Sequence, residues 1–137
     1  MQYSINDYGN HVRALARAFQ VTFEESEDQF PCGGKQYNQY GESRWYVRTR
    51  PIRSEYEYSI AMHELGHCCH PSGFLQPTPP RFVLEQRGGC IPRNLRVAWE
   101  EEAAAWEWAK RYALTWTSEM ERAYETGMAS YEELRPK

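Results

Sequence analysis

Apolar residues recur at helical spacing near the start of the chain. Val12, Leu15, Ala16 and Phe19 share one face of the segment from Asn10 to Phe19, with polar Asn6-Asp7 ahead of it. This pattern predicts an amphipathic first helix. Val21-Thr22-Phe23 has the β-branched and aromatic content of a short strand, and the acidic, glycine-containing stretch from Glu24 to Gly34 reads as a loop. The period then changes. From Arg44 to Arg50, Trp45, Val47 and Thr49 alternate with Arg44, Tyr46, Arg48 and Arg50, which predicts a half-buried strand ended by Pro51.

Ser54 is placed to cap a helix, with Glu57 three residues on as in a capping box, and no proline intervenes between Pro51 and Pro71. A helix from Glu55 to His70 is expected, with Tyr56, Ile60, Met62 or His63, and His67 along an inward stripe. Prolines 71, 77, 79, 80 and 92 and glycines 73, 88 and 89 exclude a helix across residues 71–92, so this stretch reads as a long loop containing a short strand at Phe82-Val83-Leu84. From Asn94 to Thr117 the chain has no proline or glycine and is rich in Ala, Glu, Trp and Leu, which predicts the longest helix. Ser118 caps a further helix through Tyr124, ending near Gly127, and residues 128–137 form a tail. The elements add up to a single α+β domain over residues 1–137: an N-terminal helix, a short few-stranded sheet, a central helix and a long helix after it.

At 137 residues the chain is long enough to bury one core. Its net charge of −3 gives no basic excess to hold nucleic acid or an anionic membrane. The first residues carry no basic segment followed by an apolar run, and no 18 consecutive apolar residues occur, so a soluble, cytoplasmic protein is expected. Cys32, Cys68, Cys69 and Cys90 form no Cys-x-x-Cys pair, and reduced thiols are expected; Cys32 and Cys90 would bridge only in an oxidising compartment.

The chemistry concentrates in His63-Glu64-Leu65-Gly66-His67. Residues four apart on a helix lie one above the other, so His63 and His67 can converge on one metal ion. Glu64 between them is placed to act as general base for a water activated by that metal, and zinc (Zn2+) is the expected ion. A catalytic zinc takes three protein ligands. A metzincin-type third histidine is excluded, because the position of its glycine is His70 and that of its histidine is Gly73. The carboxylates at Glu100-Glu101-Glu102 open the long helix instead. Glu102 shares a face with Ala98, Ala105, Trp106 and Ala109 and is the first choice of ligand. Glu101, nearer Ala105 and Trp108, is the alternate, and Glu100 lines up with Ala104, Glu107 and Arg111 on a solvated face. An acidic first turn that complements the helix dipole is the bland reading of all three.

Three stretches together resemble the ImmA/IrrE-type metallopeptidases: Arg13 to Phe23, Ile60 to His70 with its further histidine, and Glu100 to Trp106, which is similar to the family's Glu-x-Glu-Ala-Asn-x-Phe segment. Ala104 replaces the usual asparagine, and the Pro-rich stretch 71–92 is distinctive, so a different substrate cleft is implied. The resemblance implies a small zincin-like fold, zinc on His63, His67 and Glu102, and hydrolysis of peptide bonds in a protein substrate such as a transcriptional repressor. The Ala-Trp-x-Trp-Ala ending of that segment is similar to small phage-encoded relatives of the family. The competing reading, from a different class, is a non-catalytic binding or structural protein that keeps zinc for stability.

A tetrahedral intermediate needs a hydrogen-bond donor besides the metal. His70, Tyr112 and His11 are the candidates, and His70 serves equally as a contact orienting a ligand. Arg44, Arg48, Arg50 and Arg53 read as a solvated face paired with Glu55 and Glu57 rather than as a phosphate-binding strip.

Overall fold

The computed structural model describes residues 2–27, 31–37, 39–71 and 95–132. Helix α1 (Ile5–Ala18) starts well ahead of its apolar stripe because Ser4 and Asp7 cap each other. The Asp7 N–H donates to Ser4 Oγ at 3.1 Å and the Ser4 N–H to the Asp7 carboxylate at 2.8 Å. Gln20, in the left-handed region at φ 58°, turns the chain from the helix end directly into a strand.

Strands β1 (Val21–Glu25), β2 (Cys32–Tyr37) and β3 (Ser43–Thr49) form a mixed sheet in the order β1-β3-β2. β1 runs parallel and β2 antiparallel to β3, with Phe23 and Gly33 both opposite Val47. The central strand follows the predicted alternation: Val47 and Thr49 are buried, Arg44 and Arg50 exposed. β2 begins inside the stretch read as a loop. Its opening residues, Cys32-Gly33-Gly34, lack β-branched side chains, and pairing with β3 holds them extended in place of propensity.

Helix α2 (Glu55–Cys69) is capped by Ser54, whose Oγ accepts the Glu57 N–H at 3.1 Å. It touches α1, β2, β3 and two helices that follow it, α3 (Leu95–Tyr112) and α4 (Ser118–Ala129). Being enclosed on almost every side, it buries Tyr58, Ser59 and all of Ala61 to His67. The narrow inward stripe is therefore corrected: Tyr56 is 51% exposed, and almost the whole circumference beyond it is core. Val12, Val47, Tyr58, Met62, Leu65, Trp106 and Met120 pack together around this helix.

The N-cap of α4 is Thr117 rather than Ser118, and the helix continues through Gly127 to Ala129, burying Met128. Gly127 acts in packing, not in termination. A Cβ there would come within 3.1 Å of the Trp106 ring, so its absence lets α4 close on α3. Two of the arginines also pair with carboxylates other than those expected. Arg48 pairs with Glu24 at 3.2 Å, directly opposite in the β1–β3 register, and Arg53 pairs with Glu27, while only the backbone N–H of Arg53 meets Glu57. Among the described residues no helix is long and apolar enough to cross a membrane. Residues 72–92 of the Pro-rich stretch, with the strand predicted at Phe82-Val83-Leu84 and with Cys90, lie outside the described residues.

Candidate metal centre

Two glycines let the backbone close around the histidine motif. A Cβ on Gly66 would overlap the carbonyl of Ala105, so α3 lies directly against α2 at this point. A Cβ on Gly33 would overlap the Glu64 carbonyl and come within 3.2 Å of the Glu64 carboxylate, so β2 crosses close behind that residue. The motif is thereby held between a helix and a strand, each at backbone distance.

The approach of α3 brings Glu102 to the histidines. His63 Nε2 donates to Glu102 Oε2 at 2.6 Å, and His67 Nε2 stands 3.2 Å from the same oxygen. The donor atoms of His63, His67 and Glu102 all lie within 4.8 Å of one another, so this buried group could hold a metal ion. A tetrahedral ion with bonds near 2 Å sets its donors roughly 3.3 Å apart. The donor set is two nitrogens and one carboxylate, the composition that favours zinc.

Trp106, one turn beyond Glu102, stacks on the His63 ring with centroids 4.2 Å apart and planes 13° from parallel. One face of α3 thus fixes His63 by its ring plane and by its Nε2. Glu64 is buried beside the pair, its Oε1 3.4 Å from His63 Nδ1. The side chains of His63, Glu64, His67 and Glu102 keep only 10–12% of their surface exposed.

Glu101 lies on the other side of His67. Its Oε2 accepts from His67 Nδ1 at 2.6 Å, and its two oxygens stand 3.0 and 3.1 Å from His70 Nε2. It is as close to the histidines as Glu102, but at the nitrogen facing away from the metal group. Helical spacing within α3 alone shows no reason for this, because the partners of Glu101 come from the end of α2.

Burial by itself would push both imidazoles of the group towards neutrality, yet the carboxylates outweigh it. Glu102 and Glu64 raise His63 above the usual 6.5, and Glu102, Glu101 and Glu64 raise His67 well above it. Burial would likewise raise Glu102, but the two imidazoles hold it well below 4.5. Without a metal, the group is a buried set of charge-assisted hydrogen bonds.

The other candidates lie elsewhere. Tyr112 is ten positions beyond Glu102 on the same helix, about 15 Å along its axis, stacked on Trp108 with centroids 4.7 Å apart. His11 Nδ1 accepts from the Tyr58 hydroxyl at 2.8 Å, the hydroxyl itself accepting the Leu114 N–H at 3.0 Å. His70 is engaged by Glu101, and Cys68 turns to the sheet, donating to the Tyr46 carbonyl at 3.5 Å.

Comparison of the chain with protein-family models, curated proteins and solved structures finds no match.

Proposed function

We propose that this chain is a zinc-dependent endopeptidase of ImmA/IrrE-like type, acting on a protein substrate such as a transcriptional repressor. The observation that carries the proposal is the convergence of His63, His67 and Glu102 on one point, with Glu64 buried next to them. Zinc bound there would act as a Lewis acid, making water acidic enough to attack a peptide carbonyl near neutral pH.

The remaining steps belong to side chains. Glu64 takes the proton from the attacking water and returns it to the leaving amine, as its place within the His-Glu-x-x-His sequence supports. A purely structural metal has no use for this carboxylate. Trp106 restrains the His63 ring in the plane that aims Nε2 at the centre. Three protein ligands would leave a fourth position on the metal for water or a substrate carbonyl, as a catalytic site requires and a closed four-ligand structural site does not.

The test is digestion of a proteome-derived peptide library by the zinc-loaded protein, read by mass spectrometry. Cleavage by wild type, its loss on chelation, its return with zinc and its absence in Glu64→Gln, which still binds metal, are the expected results. Undiminished cleavage by Glu64→Gln would remove the general-base assignment. Bound zinc with no cleavage of any peptide would leave the non-catalytic, zinc-stabilised protein as the better reading.

A further inference from the structure

We propose that Glu101 is a positioning residue for the metal centre: clamped from behind by His70, its carboxylate holds Nδ1 of His67 and so presents Nε2 to the metal. This inference rests on the metal-centre reading above and adds a second, chain-specific layer to it.

Glu101 and His70 are the most deeply buried polar pair of the site, with 3% and 1% of their side chains exposed. A carboxylate withdrawn from water this far costs several kcal/mol unless its oxygens are satisfied. Here both are occupied, one by His67 at 2.6 Å and both by His70 at 3.0 and 3.1 Å. A merely dipole-complementing glutamate would sit in solvent.

The geometry separates the roles of two neighbouring residues. Consecutive positions on a helix point about 100° apart, so Glu101 and Glu102 straddle the His67 ring and address its opposite nitrogens. Glu102 is 3.2 Å from Nε2 and Glu101 is 2.6 Å from Nδ1. An imidazole can donate a hydrogen bond from one nitrogen while offering the lone pair of the other, and a carboxylate on the first fixes the tautomer and strengthens the second as a ligand. Glu101 is thus placed to support the metal without touching it.

His70 fixes Glu101 in turn. It follows the last residue of α2, where its backbone N–H donates to the Gly66 carbonyl at 3.0 Å. Three residues beyond His67, it lies on the same side of the helix. The Nδ1 of His70 is buried without a hydrogen-bond partner among the described residues, so the bond to Glu101 anchors this ring.

Zinc affinity, measured by competition with a chelator, and the visible bands of bound Co2+, which report ligand geometry, test the arrangement in folded full-length variants. Glu101→Leu should retain one metal per chain but bind it about 10–100-fold more weakly, with shifted Co2+ bands. Glu101→Gln, which can still accept from Nδ1, should recover part of the affinity. His70→Phe should weaken binding in the wild-type background and change nothing further in Glu101→Leu. If Glu101→Leu does not fold, wild-type affinity and unshifted bands in both Glu101→Gln and His70→Phe overturn the proposal. The same result in a folded Glu101→Leu does so too. Loss of all metal from Glu101→Leu while Glu102→Ala still loads would make Glu101 a ligand, again against the proposal. A wild-type protein that takes up neither metal would instead overturn the metal-centre reading itself.

Discussion

Gly66 lies against the backbone of Ala105 so closely that a methyl group at position 66 would overlap the Ala105 carbonyl. The contact sits beside His67 and one turn beyond Glu102, so the separation of the two helices at this point sets the distance between imidazoles and carboxylate. Backbone cannot yield as a flexible side-chain end can. Gly66→Ala should therefore destabilise the fold by about 3 kcal/mol or more and lower metal affinity at the same time. Chemical denaturation and metal stoichiometry measure the two effects; normal stability with normal loading would contradict the packing.

Trp106 fills the space between His63, Trp116 and Tyr124, stacking on the first and meeting the other two edge-on. Trp106→Ala should cost about 3–5 kcal/mol through the cavity it leaves, and the freed His63 should bind metal more weakly. Trp106→Phe retains a ring and should recover most of both. Equal losses in the two variants would show that ring stacking on His63 contributes nothing.

The metal-free protein should carry a distinct pH signature. The raised values of His63 and His67 contribute stability that is complete below pH 6.5 and is lost as pH rises through their folded values. The depressed value of Glu102 contributes stability that is present above 4.5 and is lost as pH falls through its folded value. This group therefore stabilises the metal-free protein most between about 4.5 and 6.5. Metal needs the nitrogen lone pairs, so it displaces these protons. Melting temperature should fall from pH 6.5 to 8.5 without zinc and hold level with it, and calorimetry in two buffers should register proton release on zinc binding. Binding without proton release at pH 7 would refute the charged network.

Three of the four thiols, Cys32, Cys68 and Cys69, should be inert in the folded state. Burial pushes Cys32, Cys68 and Cys69 up, Cys69 to about 12. Iodoacetamide at pH 8 should leave all three unmodified in the native protein and label them in urea, as read by peptide mass spectrometry. Rapid native labelling of Cys68 would show that the end of α2 separates from the sheet.

The histidine motif is legible in sequence because four-residue spacing on a helix is a local property. The same holds for the face of Glu102, which follows the apolar stripe of its own helix. Glu101 is different: its partners are 34 and 31 positions away, at the end of another helix, and no spacing within its own segment reveals them. β2 escapes for a related reason. Its glycines resemble loop punctuation, but at Gly33 the missing side chain makes room for the Glu64 backbone. Gly127 likewise resembles a helix stop until the Trp106 ring is seen against it. In each case a residue answers to a distant neighbour, and only the folded arrangement supplies that neighbour.

His63 and Glu102 are 39 positions apart in the chain and share one contact point. An ion held by both is a cross-link, closing a loop that an unfolded chain would otherwise sample freely. A tie across that many residues removes roughly 4 kcal/mol of chain entropy from the unfolded state, a large fraction of the stability of an ordinary domain. Loading would then add to the stability of the fold, and the helices that present the ligands would owe part of their association to the ion between them.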